Sequence, residues 1–327
     1  MTKVIACCFA IAVAFVHCAL AADLPHYVPQ QRVDGEIRVW GSPEDAQLLK
    51  LWDEGFRKYQ PAARVVPTLR GPESTLAGIY TGRADIAFIG RELRVPLENM
   101  AFKWVKLYSP TTIEVANASL TSDRLAGNIG LFVHPDNPLH GLTIAQLDGV
   151  FGAEHKRGVG NLRTWDDLGL TGEWRKRPIH VFAPPVDSIA SLFFRRAVLG
   201  DSFKWSTTLK EFPTDAEAIA AVARDPLAIA YGRMGVASDG VKLLPLAAQA
   251  GAPFVPLTAA TAADRSYPLA RTVIVALDRK PGTALDPKVR EFMRYVLSAE
   301  GQEAVARDGV YIPLDATSVT EQLKRLD

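Results

Sequence analysis

Glu36-Ile37-Arg38-Val39-Trp40, running into Gly41-Ser42-Pro43-Glu44-Asp45, is the stretch on which the fold turns. The first five residues predict a strand. Ser42 offers a hydroxyl to cap a helix, Pro43 suits the first helical position, and Asp45 stands three residues after the cap. A helix over 43–59 then carries the apolar stripe Leu48, Trp52, Phe56 and Tyr59, one face of a 3.6-residue period. The alternation continues outward from this unit. Strands are predicted over 64–69, 84–89, 113–118, 129–133, 179–183, 228–231 and 272–277. Helices are predicted over 74–81, 143–150, 188–199, 216–223, 287–297 and 299–307. This order predicts an α/β fold with a largely parallel sheet. At 327 residues the chain exceeds what one core usually holds, so two domains are expected.

The beginning of the chain reads differently. Residues 1–21 combine Lys3, the apolar run Val4–Val16 and the small-x-small triplet Ala19-Leu20-Ala21, the pattern of a secretory signal peptide. The run is shorter than a membrane span and is closed by His17. The three cysteines, Cys7, Cys8 and Cys18, all lie in this leader, so a mature chain has no disulfide, thiolate nucleophile or cysteine metal site. Loss of Lys3 brings the net charge from +1 to zero. No polybasic surface for nucleic acid is indicated. The uncharged stretch 243–263 contains Pro245, Pro253 and Pro256 and is read as loop, so the mature protein is expected to be exported and not membrane-embedded.

In open α/β sheets, ligands sit beyond the carboxyl ends of the strands. Three strand-to-helix turns carry a serine there: Gly41-Ser42, Arg70-Gly71-Pro72-Glu73-Ser74-Thr75, and Pro184-Pro185-Val186-Asp187-Ser188. Each offers free backbone N–H groups at the positive end of a helix, which suits a small anion. Asp85 interrupts the apolar run Ala84–Ile89, either as a ligand-facing acceptor or as a strand-end residue satisfied locally. Histidines 26, 134, 140, 155 and 180 do not pair at metal-ligand spacing. With no Gly-x-Ser-x-Gly, His-Glu-x-x-His, Walker or dinucleotide motif, no enzyme, cofactor or metal is indicated.

The order of several segments resembles the phosphate-binding-protein family of ABC importers. They are Gly41-Ser42 with Trp52, Phe56 and Pro61; Gly82-Arg83-Ala84-Asp85-Ile86-Ala87; Asn137-Pro138-Leu139 through Val150-Phe151-Gly152; Trp165-Asp166-Asp167-Leu168-Gly169; Leu297-Ser298-Ala299-Glu300-Gly301-Gln302; and Ile312-Pro313-Leu314. The resemblance implies a two-lobed periplasmic-binding-protein fold: two mixed sheets flanked by helices and joined by crossing strands. One lobe would comprise 33–113 and 266–327, the other 114–265, with a small anion such as phosphate in the cleft. It also implies a periplasmic, monomeric protein that partners an ABC permease. Ser42, Ser74, Asp85 and Ser188 are the expected ligand contacts, with Arg91 as charge partner and Thr75 and Asp187 as further candidates.

The chain departs from the family pattern at the ligand loops. Pro72 and Glu73 replace a serine and a glycine, Ile189 and Ala190 replace the glycine and threonine of Ser-Gly-Thr, and the preceding arginine position falls near Pro184. Glycine to isoleucine removes a close backbone approach, and serine to proline removes two donors. These departures define a second reading: an exported binding or sensor protein of the same fold with another ligand or a protein partner.

Overall fold

The computed structural model describes residues 24–123 and 127–327. The leader expected over 1–21 lies outside them. The chain divides into two compact units, one running to Ala118 and resuming at Thr272, the other spanning Ser119–Arg271.

The first unit begins β1 (Gly35–Gly41), α1 (Ala46–Phe56), β2 (Ala63–Leu69), α2 (Thr75–Tyr80), β3 (Ile86–Phe88), α3 (Leu97–Lys106) and β4 (Thr111–Asn117). The second contains β5 (Ile129–Val133), β6 (Leu142–Thr143), α4 (Ile144–Phe151), β7 (His180–Ala183), α5 (Ile189–Ala197), β8 (Leu209–Glu211), α6 (Asp215–Val222), β9 (Ala228–Arg233), β10 (Lys242–Leu244), β11 (Leu246–Ala247) and α7 (Ala259–Ala263). The first unit is completed by β12 (Thr272–Leu277), α8 (Pro287–Val296), α9 (Ala299–Asp308) and α10 (Ala316–Lys324).

Each unit is built on a mixed five-stranded sheet, ordered β2-β1-β3-β12-β4 in the first and β10-β5-β9-β7-β8 in the second. β1 pairs in parallel with β2 from Gly35↔Ala63 to Gly41↔Leu69, and with β3 at Val39↔Ile86. β12 runs antiparallel to both β3 and β4. The reason is topological: β4 carries the chain out of the unit and β12 carries it back. In the second unit β7 is parallel to β8 and β9, while β5 is antiparallel to β9. The sheets are therefore mixed where simple alternation predicts parallel ones.

The helix predicted from Pro43 forms as a single 3-10 turn, Pro43–Asp45, followed by α1. Its stripe is buried as its period requires: Leu48, Trp52 and Phe56 are each 1% exposed or less. Trp52 packs edge-on against Phe88 and Phe292, and its indole N–H donates to the Gly301 carbonyl at 2.9 Å. On the other face of the sheet, Leu76, Ile79, Ala87, Phe102 and Ile274 form a second layer of core. The 243–263 stretch is not all loop, because it holds the end of β10, β11 and α7. No helix among the described residues is long and apolar enough to cross a membrane.

Trp52 locks α1 to the sheet and to α9 at once. Trp52→Ala should destabilise the protein by about 3–5 kcal/mol, read as a lower urea midpoint with an unchanged slope. A change below 1 kcal/mol would contradict this packing role.

Candidate functional site

Two groups of helix starts gather at carboxyl ends of strands, one in each unit. In the first unit, the Gly41 carbonyl accepts from the N–H groups of Arg70 and Gly71, at 3.0 and 3.1 Å. This joins the Ser42 turn to the Gly71–Thr75 turn. Gly71 has φ 99°, open to glycine and strained for other residues. Gly90, at the end of β3, lies beside the Asp45 carboxylate and the Tyr311 hydroxyl, which donates to Asp45 at 2.9 Å. Ser42, Ser74, Thr75 and Arg91 are thus brought to one edge of the sheet, with Tyr311 as a neighbour that sequence reading did not single out.

The side chains there are largely engaged with their own surroundings. The Ser42 hydroxyl donates to Glu44. Ser74 donates to the Gly71 carbonyl at 2.8 Å and Thr75 to the Pro72 carbonyl at 2.7 Å. Arg91, 1% exposed, makes a two-pronged pair with Glu98 at 2.6 and 3.0 Å. Burial alone would raise the Glu98 carboxyl, but the Arg91 hydrogen bond and charge outweigh it and hold the group below its usual range. Glu73 is drawn to the same cations, 3.2 Å from Arg94 and 3.5 Å from Arg91. The carboxylate introduced into this loop is therefore neutralised by arginines.

Asp85 lies apart from this edge. It pairs at the level of Arg38, four residues short of Ser42, or about 13 Å along the strand. Its two oxygens take the Arg38 backbone N–H at 2.8 Å and the Arg38 guanidinium at 2.7 and 3.1 Å. Burial would raise its pKa; these bonds lower it below the usual carboxylate value. The strand-end alternative accounts for Asp85 through this bonding.

The second unit holds a pocket of about 190 Å³ at the ends of β7 and β9. It is lined by Pro184, Ser188, Ile189, Thr214, Asp215 and Arg233, among others. Ser188 caps α5 and accepts the Ser191 N–H at 3.2 Å, while the Ser188 hydroxyl donates to that of Ser191 at 3.0 Å. The N–H groups of Ile189 and Ala190, at the first positions of α5, have no intrahelical acceptor. Thr214 caps α6 in the same way, accepting from the Glu217 N–H at 3.1 Å. Two helix starts thus border one pocket. Asp187, one residue before the cap, is exposed and lies outside the pocket lining.

A buried aromatic stack fixes this arrangement. Phe194 of α5 lies on Tyr231 of β9 with ring centroids 3.9 Å apart and nearly parallel, and the Tyr231 hydroxyl meets that of Ser191 at 2.7 Å. Burial pushes the Tyr231 phenol far up, so it stays neutral and holds the start of α5 as a hydrogen-bonding partner.

Arg233 is the cation at this pocket. It follows the apolar run of β9 and pairs with Asp215 at 2.6 and 2.8 Å. Burial raises the Asp215 carboxyl, but the Arg233 bonds and charge lower it further, so its value lies below the usual range. Two other arginines serve elsewhere. Arg70 lies over Trp40, and Arg195 pairs with Asp201 and covers Phe203. Signals for the missed residues were present: Thr214-Asp215-Ala216-Glu217 has capping-box spacing, and Arg233 is the first charge after an apolar strand.

This architecture, two α/β units with helix starts gathered at strand ends, is that of a solute-binding protein. Residues 28–300 match the PBP superfamily domain, and the chain belongs to that superfamily. Phosphate-binding protein PstS of Pseudomonas aeruginosa is 32% identical to it over 310 residues, covering 94% of this chain and 92% of the relative. PstS from Borrelia burgdorferi aligns with a TM-score of 0.58 at 16% identity, over 86% of this chain and 100% of that one. An ABC-type phosphate transport receptor from Vibrio cholerae aligns with a TM-score of 0.53 at 19% identity, over 85% and 100%. At these identities the two structures speak for the fold.

Because Asp215 is ionised against Arg233 in the folded state, its stabilisation is complete above about pH 4 and is lost as the pH falls through the depressed folded value. Asp215→Asn should cost about 2 kcal/mol at neutral pH and flatten the acid limb of Tm against pH. Superimposable acid limbs for parent and variant would contradict the pairing.

Proposed function

We propose that this chain is an exported ABC-type solute-binding protein that takes phosphate, or a related small oxyanion, and delivers it to a permease. The observation that carries the reading is the second-unit pocket, where Ser188, the free N–H groups of α5, the start of α6 and Arg233 meet. The N–H groups of Ile189 and Ala190 and the Ser188 hydroxyl, at the positive end of α5 and in the pocket that Arg233 lines, suit a tetrahedral oxyanion. The arginine of the family's Ser-Gly-Thr motif has no counterpart near Pro184, and Arg233 takes its place from β9. The names of the relatives at 32% identity support phosphate as the ligand. They also support a binding role in place of catalysis, while the leader pattern over 1–21 supports export. In the first unit, Ser42 is the proposed contact. Ser74 and Thr75, whose N–H groups are taken by the Gly71 and Pro72 carbonyls, shape the turn beside it, and Arg91 acts by holding Glu73 and Glu98.

A second reading, the same fold with another ligand or a protein partner, draws on one observation. Asp215 lies in the pocket and balances the charge of Arg233. A fully ionised dianion gains less there than at an unpaired cation. The Asp215 oxygens take N–H groups from Arg233 and Ala216, so a ligand of lower charge, or a protein partner, loses less at this neutralised pair.

Isothermal titration of the mature protein, freed of phosphate by unfolding and refolding, separates the readings. Micromolar or tighter phosphate binding with sulfate silent is expected. Ser188→Ala and Arg233→Gln should each weaken it by about ten- to a hundred-fold, as loss of a charged hydrogen bond implies. No heat with phosphate, sulfate or a phosphonate would overturn the first reading and leave the second.

A further inference from the structure

Helix α3 is inverted relative to an ordinary surface helix. Its inward face carries Phe102, packed against Leu76 and Ile79, together with Asn99, while Glu98 and Lys106 are held in ion pairs. Its outward face carries Leu97, Met100, Ala101, Trp104 and Val105, with Leu107 just past the end. At 100° per residue these six fall in one sector that contains no charge. Trp104 is 74% exposed and Leu107 88%. The stripe exposes on the order of 700 Å² of apolar surface, more than the largest patch of a typical monomer and close to one side of a standard protein interface.

We propose that this stripe is the surface on which the transmembrane subunit of the ABC importer docks, through an apolar patch carrying a carboxylate opposite Lys103. The proposal rests on the importer reading given above. Three observations choose this occupant. Lys103, at the edge of the stripe, makes no ion pair among the described residues and asks for an acidic partner. An antiparallel two-fold pairing of two such helices would bring each Lys103 edge against its own copy, which disfavours a second copy of this chain. The other cations nearby are engaged, Lys106 with Asp278 and Arg94 with Glu73 and Glu98. A single free lysine gives too little attraction to gather anionic lipid headgroups.

The stripe is also tied to the ligand loop. Glu98, on α3, binds Arg91 and Arg94, and both arginines reach Glu73 beside Ser74. A partner seated on α3 is thereby one ion-pair network away from the Gly71–Thr75 turn. That connection suits a partner that must distinguish loaded from empty protein. Trp and Met are the residues enriched at such interfaces, with Trp among the side chains that carry most of their energy.

The test is photo-crosslinking in the native host under phosphate limitation, using the full chain with p-benzoylphenylalanine in place of Trp104. A copy with the probe at Leu107 is the second variant should the first not fold. Mass spectrometry of the adduct should identify a transmembrane subunit of an ABC importer. Lys103→Glu should reduce the yield by roughly ten-fold or more. Trp104→Ser/Leu107→Ser should cut cellular phosphate uptake by a similar factor while the purified variant titrates phosphate as the parent does. An adduct with a second copy or with lipid, no adduct from either probe position, or unchanged uptake in the double variant would overturn the proposal. Failure of the ligand reading shows separately: a permease adduct from a protein that takes no phosphate leaves docking intact and removes only phosphate.

Discussion

The parallel pairing of β1 with β2 and β3, and of β7 with β9, is the constraint on which the rest depends. Parallel strands end on the same edge, so the helices that follow them begin there together. In the second unit this edge collects Ser188 with α5, Thr214 with α6, and Arg233 at the end of β9. None of the three would be a binding site alone. The start of α5 leaves the Ile189 and Ala190 N–H groups without intrahelical acceptors, and a small pocket is what allows them to act with Arg233 on one ion. The Phe194–Tyr231 stack and the Ser191–Tyr231 hydrogen bond keep α5 in register with the strand, which turns a loop feature into a rigid one.

Charge pairing gives the two units different characters. Arg91, buried and held by Glu98, braces the loop that contains Glu73 and is not free to meet a ligand. Arg233 borders its pocket while bound to Asp215, leaving a dipolar pair in place of a bare cation. The Asp215 oxygens are already taken by N–H groups of Arg233 and Ala216, so what the pocket offers a ligand is donors at reduced net charge.

Much of the fold was legible. The stripe of Leu48, Trp52 and Phe56 predicted both the helix and its buried face, and Ser42, Thr143, Ser188 and Asp286 mark helix starts close to where the structure has them. Helix α3 went unpredicted although Leu97, Met100, Ala101, Trp104 and Val105 recur at helical spacing; what the sequence hides is that this stripe faces outward while Phe102, Asn99, Glu98 and Lys106 face in. Ser188 could be selected from its turn; Thr214 and Arg233 carried only local signals, since their meeting with Ser188 comes from the pairing of β7 with β8 and β9. Asp85 illustrates the opposite case: a polar residue in an apolar strand has two readings, and only the position of Arg38 distinguishes them.

The central claim is that the N–H groups at the start of α5 take the oxyanion, and amide chemical shifts test it residue by residue. On titration of phosphate-free, isotope-labelled protein, the amides of Ile189 and Ala190 should show the largest saturable shifts, together with the side-chain N–H of Arg233. Saturable phosphate binding that leaves these three unmoved, with the largest shifts elsewhere in the chain, would contradict the account.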